Sequence, residues 1–84
     1  MITSVEAARL LKNEHPKRKI VEAAVYNSKY YLFIALEDTT KPDPNDPCFL
    51  VDMKSGKIIQ ISPTMDIQKY SDALLNHRIE VPKL

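Results

Sequence analysis

The residues from Cys48 to Ser62, CFLVDMKSGKIIQIS, confine the fold most tightly. Two apolar runs flank Gly56, the only glycine in the chain. Glycine has no Cβ and takes positive φ without a clash. Asp52 and Ser55 precede it, and their short side chains bond nearby backbone N–H groups in turns. The stretch therefore reads as a β-hairpin. A three-residue loop, Lys54-Ser55-Gly56, forms a type I turn closed by a glycine bulge. That register sets Val51 opposite Ile59 and Phe49 opposite Ile61. Phe49, Val51, Ile59 and Ile61 then share one face, with Leu50, Asp52, Ile58 and Gln60 on the other. A four-residue loop beginning at Met53 pairs Asp52 with Lys57 instead. The first register segregates apolar from mixed residues better and is the one expected. A slip of one residue would turn every side chain of one strand over. DMKSGK lacks the second glycine and the Gly-Lys-Ser/Thr order of a phosphate-binding loop.

Before the hairpin, residues 3–14 carry a helix signature. Thr3 is a good N-cap, and Glu6 falls three residues later to close a capping box. Ile2 is placed to staple onto Ala7. Ala7, Leu10, Leu11 and Glu14 follow helical spacing, with Val5 and Ala8 beside them. Pro16 biases His15 away from helix and stops it. Ile20–Tyr26 and Tyr30–Glu37 read as strands joined by Asn27-Ser28, since Asn tolerates the left-handed conformation that a tight hairpin needs. This register sets Val25 opposite Tyr30, Ala23 opposite Leu32 and Val21 opposite Ile34. The other face holds Ile20, Glu22, Ala24, Tyr31, Phe33 and Ala35, and is less polar than a solvated face should be.

Residues 38–47, DTTKPDPNDP, read as a loop, because three prolines in close succession forbid regular pairing. Asp38, Asp43 and Asp46 do not follow the order of a calcium-binding loop. After the hairpin a second helix is expected over about 66–76, capped by Asp66 or Thr64. Ile67, Tyr70 and Leu74 lie on one face of it, with Ala73 beside them, and Asn76 is its stop. Arg78-Ile79-Glu80-Val81 alternates like a short strand ended by Pro82; it either pairs at a sheet edge or drapes over the core. The fold class is therefore α+β. The chain forms an antiparallel four-stranded meander with an N-terminal and a C-terminal helix, in the order α-β-β-β-β-α, with that fifth C-terminal strand in addition if it pairs. One face of the sheet is expected to be covered by helices.

Eighty-four residues make a single domain. A chain this short buries only roughly 60–65% of its unfolded surface, so homo-oligomerisation is an ordinary remedy. The net charge of +1 argues against a dedicated nucleic-acid or membrane-surface binder. One cysteine excludes an intramolecular disulfide. No apolar run is long enough to span a bilayer, and Met-Ile-Thr-Ser does not begin a signal peptide. These features point to the cytoplasm.

Candidates for chemistry are few. Lys12, His15, Lys17, Arg18 and Lys19 form the one basic cluster. It suits a solvated helix terminus, where cations complement the dipole, and is the only place a nucleic-acid contact could form. Cys48 has no base signature beside it and reads as a small hydrophobe. His15 and His77 belong to no metal-ligand spacing. No catalytic residue, cofactor or metal site is expected. The apolar face bearing Tyr31 and Phe33, with Glu22 on it and the 38–47 loop at its edge, is either covered by the first helix or the C-terminal segment or is the binding surface, since aromatic residues are enriched at interface centres.

The hairpin residues Val51, Asp52, Ser55, Gly56 and Ile58, followed by Asp66, Tyr70 and Ile79, resemble small α+β proteins encoded by bacteriophages and prophages. Those proteins carry a V-D-x-x-[ST]-G-x-I hairpin, a short helix and a closing strand. The same hairpin is similar to that of YrhB-type immunity proteins, which have a longer middle segment where this chain has its Pro-Asp loop. The first resemblance implies a non-catalytic accessory protein that binds another protein, such as a virion or morphogenesis component. The second implies an inhibitor that binds a bacterial toxin.

Overall fold

Thr3 opens the first helix. Its hydroxyl accepts from the Glu6 N–H, and the Glu6 carboxylate accepts from the Thr3 N–H, each at 3.1 Å. The computed structural model describes residues 1–37, 40–41, 47–61 and 67–84, without the side chains of 67–69. The elements are α1 (Ser4–Glu14), β1 (Lys19–Tyr26), β2 (Tyr30–Leu36), β3 (Cys48–Asp52), β4 (Ile58–Ile61), α2 (Ile67–Asn76) and β5 (Arg78–Ile79). The five strands form one antiparallel sheet in the order β4-β3-β2-β1-β5. This is the expected α+β order, with the last segment paired at the β1 edge. The expected caps of α2, Thr64 and Asp66, and the Asp38, Asp43 and Asp46 cluster lie outside the described residues.

The helices do not share a face. Ala7, Ala8 and Leu11 of α1 pack with Ala23, Phe33, Ala35, Phe49 and Val51. Ala73 of α2 packs with Ala24, Leu32 and Leu50. Successive strand residues point to opposite faces, so each helix covers its own side of the sheet. This corrects the expectation of a single covered face. Leu10, expected in the buried stripe of α1, is 40% exposed. It sits at the rim, where a Cβ added to Gly56 would lie 3.0 Å from its Cδ1.

Both hairpin registers differ from expectation by one residue. In the first, Asn27 and Ser28 have φ of 55° and 56°, and the Lys29 N–H donates to the Tyr26 carbonyl at 3.1 Å. The Lys29 carbonyl accepts from the Met53 N–H at 2.9 Å, toward β3. Lys29 therefore stays in the turn, and Tyr26 pairs with Tyr30, Ala24 with Leu32 and Ala23 with Phe33. A bulge between Ile20 and Glu22 absorbs the shift at the far end.

In the second hairpin the loop is Met53-Lys54-Ser55-Gly56, the longer alternative. Asp52 faces Lys57, whose carbonyl accepts from the Asp52 N–H at 2.9 Å, and Leu50 and Val51 face Ile59 and Ile58. The Asp52 carboxylate decides this. It accepts from the Lys54 and Ser55 N–H groups at 2.7 and 3.0 Å, which makes Asp52 the base of the turn. Gly56, at φ +75°, closes the loop.

No helix among the described residues is long and apolar enough to cross a membrane. The core rests on Phe33 and Phe49, which are paired across strands and fully buried. Phe33→Ala should cost about 3–5 kcal/mol, a large part of the roughly 5–15 kcal/mol that holds a small domain. Urea unfolding would read this as a large drop in midpoint.

Candidate functional site

The surface expected at Tyr31, Phe33 and Glu22 does not exist as a surface. Phe33 is fully buried beneath α1. Tyr31 is half-buried, stacks beside Phe33 at 6.3 Å, and its hydroxyl donates to the Ile2 carbonyl at 2.9 Å. Glu22 lies on the opposite face, two residues before Ala24, and accepts from the Arg78 guanidinium at 2.9 Å. The one-residue register difference separates Glu22 from Tyr31 and Phe33, which stay on one face. The apolar excess on that face was core for α1.

The basic cluster also divides. The Lys12 ammonium donates to the Arg18 carbonyl at 2.8 Å. The Arg18 guanidinium donates to the Ala35 carbonyl at 3.0 Å, lies 4.0 Å from the Glu37 carboxylate, and sits 5.8 Å from the Phe49 ring centre. The His15 ring packs 4.8 Å from Phe49. Lys12 and Arg18 strap the α1–β1 connection to the end of β2, and His15 packs it against Phe49 of β3. Lys17 and Lys19 remain exposed. The shallow groove here, about 300 Å³, is lined by Glu14 and Glu37 as well as His15, Lys17 and Arg18. It is not a uniformly cationic surface of the kind that tracks phosphates.

The DMKSGK turn has no free amides to cradle an anion. The Lys54 and Ser55 N–H groups go to the Asp52 carboxylate, Gly56 N–H to the Asp52 carbonyl, and Lys57 N–H to the Ser55 hydroxyl. The Ser55 and Lys54 N–H groups hold the Asp52 carboxyl below its ordinary pKa. Cys48 starts β3 half-buried, and burial raises its thiol pKa, the direction that disfavours thiolate chemistry. His15 and His77 stand at the ends of different helices. Among the described residues no group of three or more His, Cys, Asp or Glu side chains could hold a metal ion.

The feature that sequence reasoning missed is the β4 edge. Among the described residues β4 has one neighbour, β3, and ends the sheet. Because Asp52 and Lys57 form a hydrogen-bonded pair, alternation turns the backbone groups of Ile59 and Ile61 toward β3 and those of Ile58 and Gln60 outward. Ile59 is 37% exposed and Gln60 is exposed too. No proline or charge interrupts Ile58–Ile61, so two of the usual protections of an edge strand are missing from it. The signal was present: a closing hairpin after a meander leaves its last strand outermost unless another strand joins it.

Comparison with protein-family models, curated proteins and solved structures gives no match to this chain.

Two outcomes test the electrostatics. Arg18→Ala should lower stability by about 1–2 kcal/mol by leaving the Ala35 carbonyl unbonded. Lys17→Ala should stay within about 0.5 kcal/mol in the same urea titration. The Asp52 contribution is fully present above the unfolded carboxylate pKa of about 3.9. It is lost as pH falls through the lower folded value. Asp52→Asn should flatten that acid limb in thermal melts taken from pH 6 down to pH 2.

Proposed function

We propose that this chain is a small non-catalytic protein-binding module that engages its partner by strand addition at β4. The single observation that carries the reading is the open edge: an apolar strand with Ile59 exposed and the Ile58 and Gln60 backbone groups facing outward. An extended partner strand would satisfy those groups, and its side chains would pack on Ile59. The hairpin and C-terminal helix residues that resemble small phage and prophage proteins support an accessory role, with a virion or morphogenesis component as partner. The cytoplasm fits the lone, half-buried Cys48. Nucleic-acid contact through residues 12–19 is the weaker reading, because Lys12 and Arg18 are already engaged within the fold.

The test is a comparative pull-down of the tagged chain and its Gln60→Pro variant from host lysate, each with nuclease. Proline fits an edge position whose N–H faces outward, so β3 pairing is retained. A stoichiometric protein that survives nuclease and is lost from Gln60→Pro is the expected result. A toxin in that band selects the immunity-type role; a capsid or tail component selects the virion-associated one. Equal recovery with both baits, or nucleic acid alone, overturns binding at β4.

A further inference from the structure

We infer that in the isolated protein the β4 edge is occupied by β4 of a second copy, paired antiparallel about a two-fold axis at Ile59. This rests on the strand-addition reading and identifies a competitor for the same edge.

The register follows from the backbone. Only Ile58 and Gln60 of β4 point their N–H and C=O groups outward. A two-fold axis at Ile59 sets Ile58 of one copy opposite Gln60 of the other, and the reverse. That forms two hydrogen-bonded pairs, with four N–H···O bonds, without using residues beyond Ile58–Ile61. An axis at Ile58 would need Gly56, which is held at φ +75° in the turn. An axis at Gln60 or Ile61 would draw on residues past the strand end.

The two Ile59 side chains then meet directly at a non-hydrogen-bonded position, where opposed side chains are closest, with Cα atoms about 4.5 Å apart. Ile59, one of the few exposed large apolar side chains, is thereby covered by its own copy. The two sheets join into one, and each α2 stays on the same face of it.

The opposite edge is built differently. β5 has only two residues, one of them Arg78, which is held against Glu22 at 2.9 Å. Short, charged strands resist pairing. β4 is twice as long and carries no charge. A net charge of +1 per chain sets little repulsion between copies. The contact is small beside the roughly 1,200 Å² of a stable interface, so the dimer is concentration-dependent and yields to a partner with a longer strand.

The experiment places one cysteine at a time in a Cys48→Ser background and oxidises the purified protein mildly. Ile59→Cys should crosslink to a disulfide dimer, because its Cα separation lies within disulfide range. Gln60→Cys should not, because Gln60 faces Ile58 rather than its own copy. Light scattering of the unmodified chain should show apparent mass rising twofold with concentration, and Gln60→Pro should stay at monomer mass with an unchanged melting temperature. A monomer throughout, up to about 1 mM, overturns the inference, as does equal crosslinking of Gln60→Cys and Ile59→Cys. The two readings fail separately. A monomeric chain that still loses its host partner on Gln60→Pro removes only the self-pairing. A dimer whose host partner is indifferent to Gln60→Pro removes only the strand-addition role.

Discussion

The structure depends on a sheet that carries a helix on each of its two faces. Consecutive residues are buried within the same strand: Ala23 and Ala24, Leu32 and Phe33, and Phe49, Leu50 and Val51. An antiparallel sheet with one solvated face alternates apolar and polar residues. Here each side has its own helix, so the polar half of the alternation disappears. The price is chain length, because 84 residues must supply two helix–sheet interfaces. Small side chains make that feasible. Ala7, Ala8, Ala23, Ala24, Ala35 and Ala73 are all buried, and they let backbone approach backbone on both sides.

Connectivity explains which helix goes where. α1 enters β1 through a short turn, and Lys12 and Arg18 fasten that turn to its own backbone and to the end of β2. α2 starts after one edge strand and must deliver β5 to the other edge. It therefore crosses the sheet and packs chiefly against β1. The Val25 N–H meets the His77 carbonyl at 3.0 Å, which closes this crossing just before β5. Tyr26 and Tyr70 pack at 5.0 Å beneath it.

What was legible in the sequence was local. Thr3 and Glu6 bond one another across three residues, and Pro16 acts on its immediate neighbour, so the limits of α1 could be read directly. Gly56 likewise marked its turn. The registers were not legible, because they were judged by how cleanly apolar residues segregate to one face. That criterion presupposes a polar face. With both faces covered, Ile58 and Ile59 are equally plausible partners for Val51, and only the Asp52 carboxylate, bonded to the Lys54 and Ser55 N–H groups, decides between them. The same presupposition made Phe33 look like spare surface. A strand whose second face is too apolar for water should be read first as needing a second layer, and only then as needing a partner.

Covering both faces also determines where such a fold can meet other molecules. Neither sheet face is free to present a flat apolar patch, which leaves helix backs and strand edges. On the helix backs, Leu75 of α2 stands 80% exposed without a neighbouring apolar strip on its own turn to extend it. The edges are unequal. β5 is two residues long and its Arg78 is paired with Glu22, whereas β4 presents an uncharged, apolar ladder with Ile59 at its centre. Backbone hydrogen bonding is indifferent to side-chain identity, so affinity at such an edge comes from the ladder and selectivity from what lies on Ile59. On the strand-addition reading proposed above, a module built this way pairs weakly with itself and more strongly with a partner of longer strand, by the same bonds. On that reading its recognition element is β4, which among the described residues is the uncharged edge strand of the sheet.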